Sequence, residues 1–131
     1  LTAPVADRGK VTSVRVLLAE DLPPDQRPVT RLLQKLGCSV HLATTGWEAL
    51  AAVETQSFDL LLIDSEMPEM AGWEAIPQIC GQTPLVALVL NDQDELRCLA
   101  AGARSCLRKP LQQTDLTRVV QAFRAGSQAA S

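Results

Sequence analysis

The stretch FDLLLIDSEMPEMAGW, residues 58–73, drives an apolar run into a carboxylate at Asp64, breaks at Met67-Pro68 and restarts beyond Gly72. A nearly unbroken apolar segment such as residues 60–63 suits a strand buried on both faces, as in the middle of a parallel sheet. Asp64 then sits at the carboxyl edge of that sheet, where open α/β sheets place their chemistry.

Outward from there, VRVLLAED at residues 14–21 is a second apolar strand and ends in the adjacent acids Glu20 and Asp21. A third strand-like stretch, residues 105–107, runs into Arg108-Lys109-Pro110 and puts a cation at another strand end. If these strands share one parallel sheet, Glu20, Asp21, Asp64 and Lys109 converge on one pocket of three acids and one base. Clustered carboxylates repel one another unless a cation intervenes, and an oxygen-only ligand set suits magnesium or manganese. Lys109 is then free to serve an anion beside the metal, most naturally a phosphoryl group.

These marks, together with Ala101-Gly102-Ala103, stand in the order and at the spacing of a known family. From roughly residue 14 to residue 123 the chain resembles the receiver domain of two-component signalling. LLAEDLPPDQRPVTRLLQKLG and ELRCLAAGARSCLRKPL look most like receivers fused to hybrid sensor histidine kinases. The resemblance implies a flavodoxin-like, doubly wound α/β fold, a five-stranded parallel sheet in the order 2-1-3-4-5 with five helices. Helices one and five would cover one face and helices two, three and four the other.

The same resemblance implies that Asp64 is the phosphoacceptor, attacking a phosphohistidine on a histidine kinase or histidine phosphotransfer domain. Asp21 and Asp64 would hold Mg2+ (or Mn2+), with Glu20 ligating directly or through water and Glu66 through its backbone carbonyl. Lys109 would pair with Asp64 before transfer and with a phosphoryl oxygen afterwards. Such a domain is not a free-standing enzyme; it assists its own phosphorylation and dephosphorylation inside a larger chain.

Departures from the family pattern fall at the switch positions. The Ser or Thr at the end of strand four is Val89, within LVALVLND, and the aromatic of strand five is Cys106. The Asp before Gly72 is Ala71, and the two Asn of the hybrid-type loop are Leu22 and Asp25. Valine copies threonine's shape without its donor. A second reading therefore stands beside the phosphorelay receiver: a degenerate pseudo-receiver acting as a phosphate-independent interaction or autoinhibitory module. A haloacid-dehalogenase-like phosphatase would need a second Asp where Glu66 stands. A flavodoxin-like FMN binder would need a phosphate cradle where the acidic, proline-bearing loop of residues 20–24 stands.

The chain divides into a linker over residues 1–13, the receiver over 14–124 and a flexible tail over 125–131. One helix spans about residues 25–36, with Val29, Leu32, Leu33 and Leu36 as its buried stripe, Pro28 in its first turn and Gly37 as its stop. Thr45-Gly46-Trp47-Glu48 reads as a capping box for a second helix that carries Trp47, Leu50, Ala51 and Val53, with Trp47 read as a packing residue. Pro77 should kink or end a short helix over 73–80, Asn91 or Asp92 should cap the fourth, and Leu116, Val119, Val120 and Phe123 stripe the fifth.

Composition bounds the partners. A chain of 131 residues makes one domain with one core. No apolar run approaches the roughly 18 residues of a membrane span. A net charge of −3 gives no reason to expect nucleic-acid binding. Nothing marks export, so a cytoplasmic location is expected, and nothing sets an oligomeric state. Cys38, Cys80, Cys98 and Cys106 lack metal-ligand spacing and read as reduced core thiols. Trp73, just beyond the acidic loop, is placed to report on the site, and His41 has no catalytic partner nearby in sequence.

Overall fold

The computed structural model describes residues 14–79, 81 and 83–130; the expected linker, Cys80 and Ser131 lie outside them. Five strands form one parallel sheet in the order β2-β1-β3-β4-β5: β1 Val14–Ala19, β2 Cys38–Ala43, β3 Leu60–Asp64, β4 Leu85–Val89 and β5 Ser105–Arg108. Every residue of β3 and β4 is buried, as their unbroken apolar runs require of central strands. The helices are α1 Pro23–Lys35, α2 Gly46–Thr55, α3 Gly72–Ala75, α4 Asp92–Ala101 and α5 Gln113–Ala130.

Alternate residues of each central strand point to opposite faces, so the single core expected from chain length is divided by the sheet into two clusters. Val16, Leu18, Leu60, Leu62, Val86 and Leu88 pack against Val29 and Leu33 of α1 and Leu116 and Val120 of α5. Leu17, Ala19, Leu61, Ile63, Ala87 and Val89 pack with Ala49 and Ala52 of α2, Ile76 beyond α3 and Cys98 of α4. The two faces are thus covered as expected, with α1 and α5 on one and α2, α3 and α4 on the other. Among the described residues no helix is long and apolar enough to cross a membrane.

The differences from expectation are local and have physical causes. Helix α1 begins at Pro23 rather than near Asp25, because Pro23 and Pro24 fill first-turn positions whose N–H groups have no helical partner. Pro28 consequently falls inside the helix, where the Pro24 carbonyl loses the donor it would otherwise receive. Thr45 caps α2 by accepting from the Glu48 N–H at 3.1 Å, but Glu48 reaches back to the Thr44 N–H at 2.7 Å, one residue upstream of a regular capping box.

Helix α2 also buries Gly46, Ala49 and Ala52 and leaves Trp47 56% exposed, so Trp47 is a surface residue and not a packing one. A Cβ on Gly46 would stand 2.8 Å from Met70 Cβ, and so close an approach leaves room only for small side chains. Pro77 ends α3 early, and the chain continues as the 3-10 turn Ile76–Gln78. Asn91 caps α4 through the Asp94 N–H at 2.8 Å. Helix α5 is assigned through Ala130.

Gly72 sets how closely α3 approaches β3. A Cβ there would lie 2.3 Å from the Asp64 carbonyl oxygen and 2.8 Å from Ser65 Cα, both backbone atoms that have no rotamer to yield. Gly72→Ala should lower the unfolding free energy by about 1–3 kcal/mol, measured by urea denaturation. An unchanged midpoint would show that α3 can move away from Asp64 freely.

Candidate functional site

Parallel register carries three strand ends to one edge. Ala19 pairs with Ile63, Asp64 with Leu88 and Val89 with Arg108, so Glu20, Asp21, Asp64 and Lys109 emerge together. The Lys109 N–H donates to the Val89 carbonyl at 2.8 Å, and the Lys109-Pro110 peptide bond is cis. Ligand oxygens of Glu20, Asp21 and Asp64 all lie within 4.8 Å of one another. Glu20 and Asp64 are buried and Asp21 is half-buried. They border an open cleft of about 970 Å³, whose walls include Pro24, Glu66, Met67, Trp73 and Leu111.

Lys109 balances this charge. Its Nζ lies 2.8 Å from Asp64 Oδ2, 3.4 Å from Glu20 Oε1 and 3.6 Å from Asp25 Oδ2. The second Asp64 oxygen, Oδ1, accepts the Glu66 N–H at 3.0 Å. Burial opposes the lysine's charge, but the hydrogen bond and charge of Asp64, with Glu20 and Asp25, outweigh it and hold the ammonium pKa above its usual value. Glu20 moves the other way from an ordinary carboxylate. Burial first, then the hydrogen bond and charge of Asp64, push it up to about 8 against the pull of Lys109.

All four side chains expected at the site meet there, and Glu66 lies in its wall. Val89 does not: it is fully buried in the apolar cluster containing Ile63, Met67 and Ala87. Cys106 packs against the same cluster, with Sγ 3.9 Å from the Glu95 carbonyl. Cys38, Cys98 and Cys106 are free thiols, the first two buried. His41 is exposed and touches Gln56 and Phe58, away from the acids. Asp25 is the residue whose part in the charge balance the sequence reading missed. Its only local signal is an acid in the first turn of a helix beginning two residues after Asp21, which helix-dipole preference explains equally well.

The response regulator receiver domain family matches residues 16–121. The chain belongs to this family. It is 34% identical over 124 residues to the aerobic respiration control sensor protein ArcB of Escherichia coli, covering 89% of this chain and 16% of ArcB. It is 32% identical to hybrid signal transduction histidine kinase G of Dictyostelium discoideum, covering 87% of this chain and 4% of that protein.

Among solved structures, the receiver domain of a Pseudomonas aeruginosa sensor histidine kinase superposes with a TM-score of 0.79 at 32% identity, covering 85% of this chain and 97% of that one. That structure has a magnesium ion coordinated in its active-site cleft. A chemotaxis response regulator of Vibrio cholerae gives 0.77 at 29% identity, covering 85% of this chain and 98% of that one. The chain thus spans a small part of its kinase relatives, and it is a receiver domain homologous to those of hybrid kinases.

Glu20 gives the metal-free receiver a pH signature. Its folded value of about 8 lies above its ordinary 4.5, so between the two the native state keeps a proton that the unfolded chain has released. Unfolding free energy therefore falls as pH rises through that window, by at most about 1.4 kcal/mol per pH unit for one proton. Chelator-treated protein should lose stability relative to Glu20→Gln between pH 5 and 8 in denaturation experiments. A difference that stays flat across that range contradicts the shift.

Proposed function

We propose that this receiver accepts a phosphoryl group from phosphohistidine onto Asp64 in a magnesium-dependent reaction, as part of a hybrid sensor histidine kinase. The observation that carries the proposal is Lys109 Nζ at 2.8 Å from Asp64 Oδ2, inside a cluster of three carboxylates able to converge on one cation. An all-oxygen donor set of this size fits magnesium, and manganese equally. Asp21 and Asp64 would hold the ion, with Glu20 directly or through water and the Glu66 carbonyl completing the protein ligands. The ion's part is to offset the charge that builds on the transferring oxygens.

The chain's own groups do the rest. An Asp64 carboxylate oxygen attacks phosphorus, an O–P bond forms and the N–P bond of the phosphohistidine breaks, leaving its electron pair on the imidazole nitrogen. Lys109 is already charged and aimed at Asp64, so it can turn to a phosphoryl oxygen without a long-range movement. The Glu66 N–H fixes the carboxylate plane through Oδ1. The partner is a histidine kinase or histidine phosphotransfer domain, met in the cytoplasm. Neither nucleic acid nor membrane is a partner of this domain.

A second reading is favoured by one specific observation. Val89 sits in the apolar core and Cys106 packs against it half-buried, so the positions that answer to the phosphoryl group elsewhere in the family supply neither a hydroxyl nor an aromatic ring. On that account the domain docks without being phosphorylated. Incubation with magnesium and an acyl phosphate, followed by peptide mass spectrometry, separates the two. Phosphorylation of the Asp64 peptide is expected, abolished by Asp64→Asn or chelation; unmodified Asp64 alongside normal magnesium binding would favour docking.

Val89→Thr tests the switch position itself. A hydroxyl placed in this apolar cluster without a partner should lower the unfolding free energy by about 1–3 kcal/mol. A neutral result would mean that the new hydroxyl has found the cleft, and phosphoryl retention should then rise.

A further inference from the structure

Ser65, immediately after the acceptor Asp64, is fully buried and bonded on both sides. Its carbonyl accepts the Gly72 N–H at 2.9 Å, and its hydroxyl donates to Asp94 Oδ2 at 3.4 Å. Asp94 belongs to the first turn of α4 and is 4% exposed. Its other carboxylate oxygen lies 4.0 Å from Arg97 Nη1, one turn further along α4. The Arg97 guanidinium stacks 4.8 Å over the ring of Trp73, which follows Gly72 and lines the acidic cleft. These contacts close a ring: Ser65, Asp94, Arg97, Trp73, Gly72 and back to Ser65.

We propose that this ring carries the state of Asp64 to helix α4, with Ser65 and Asp94 as the positioning residues, in place of the hydroxyl missing at Val89. The inference rests on Asp64 being the phosphoryl acceptor. Three features support the coupling. Gly72 is in contact with the Asp64 carbonyl, so the start of α3 moves with the end of β3. A phosphoryl group brings up to about two negative charges and three acceptor oxygens into the cleft that Trp73 walls. A nearly buried carboxylate with few partners is sensitive to the loss of any of them, so a shift of Ser65 or of the Arg97–Trp73 stack changes how Asp94 is held.

Both receiving residues, Asp94 and Arg97, lie on α4, whose outer side exposes Leu96 and Leu99. A rotation or translation of the helix would alter what that surface offers to a partner.

The test uses beryllofluoride with magnesium as the probe, in a Trp47→Phe background that leaves Trp73 as the remaining tryptophan. Fluorine NMR reads binding; amide shifts across Asp92–Ala101 and Trp73 emission read the response of α4. The parent should bind and shift. Ser65→Ala, Asp94→Asn and the surface variant Arg97→Gln should each bind within about threefold of the parent, yet show under about a third of its α4 shift. Ser65→Thr, which keeps the donor, should restore the response.

Variants that bind and shift α4 as the parent does would overturn the relay and leave the proposed function intact. Binding lost in step with the response would also overturn it, since these residues would then be shaping the site and not reading it. A parent that shows no bound beryllofluoride contradicts the proposed function first and the relay with it. Arg97→Gln keeps Asp94 and Ser65 in place, so the test survives a failure of either buried variant to fold.

Discussion

The ammonium of Lys109 lies within 3.6 Å of carboxylate oxygens from Asp64, Glu20 and Asp25, and much of the structure is arranged around that balance. Parallel strands force it. Their carboxyl ends lie along one edge, so acids at the ends of β1 and β3 are brought together whatever their mutual repulsion. With Glu20 and Asp64 almost fully buried, water screens that repulsion poorly. One cation just beyond β5 and one proton on Glu20 reduce it, and a divalent ion placed among Glu20, Asp21 and Asp64 would take over the proton's part. The arrangement that burdens the metal-free fold is therefore one that a divalent cation would relieve.

The sequence displayed the parts of this arrangement that depend on local pattern. Apolar runs ending in Asp64, Glu20-Asp21 and Lys109 marked the strand ends, and Gly37 and Asn91 marked helix boundaries by the same kind of short-range chemistry. The parts that depend on adjacency in space were hidden. Asp25 looks like a helix-dipole acid until α1 is seen to start at Pro23 and bring it toward Lys109. Ser65 has no local signal at all, because its partner Asp94 is 29 residues away. Trp47 misled for a steric reason: the contact between Gly46 and Met70 lets α2 pack through its small residues and turns the large ring outward.

On the proposed function, the cost of Val89 and Cys106 would fall on communication more than on chemistry. β4 is buried throughout and ends in Val89, so the strand beside Asp64 contributes packing but no polar side chain to the cleft. The neighbouring polar path leaves from β3 instead, through a hydroxyl one residue beyond Asp64, and reaches the first turn of α4 without passing through β4. On the proposed function, a receiver with these acids and this link would load Asp64 while presenting that state to a different surface or with a different amplitude.

Three carboxylates and one lysine leave an excess of negative charge in the cleft that a divalent cation would offset. Calorimetric titration of magnesium at pH 7 in two buffers of different ionisation enthalpy tests it most directly, because the difference between the apparent heats counts protons. With Glu20 raised to about 8, binding should release a substantial fraction of one proton, and Glu20→Gln should abolish the release. Magnesium binding with no proton release in the parent, or no binding at all, would show that Glu20 does not hold the proton that the cation displaces.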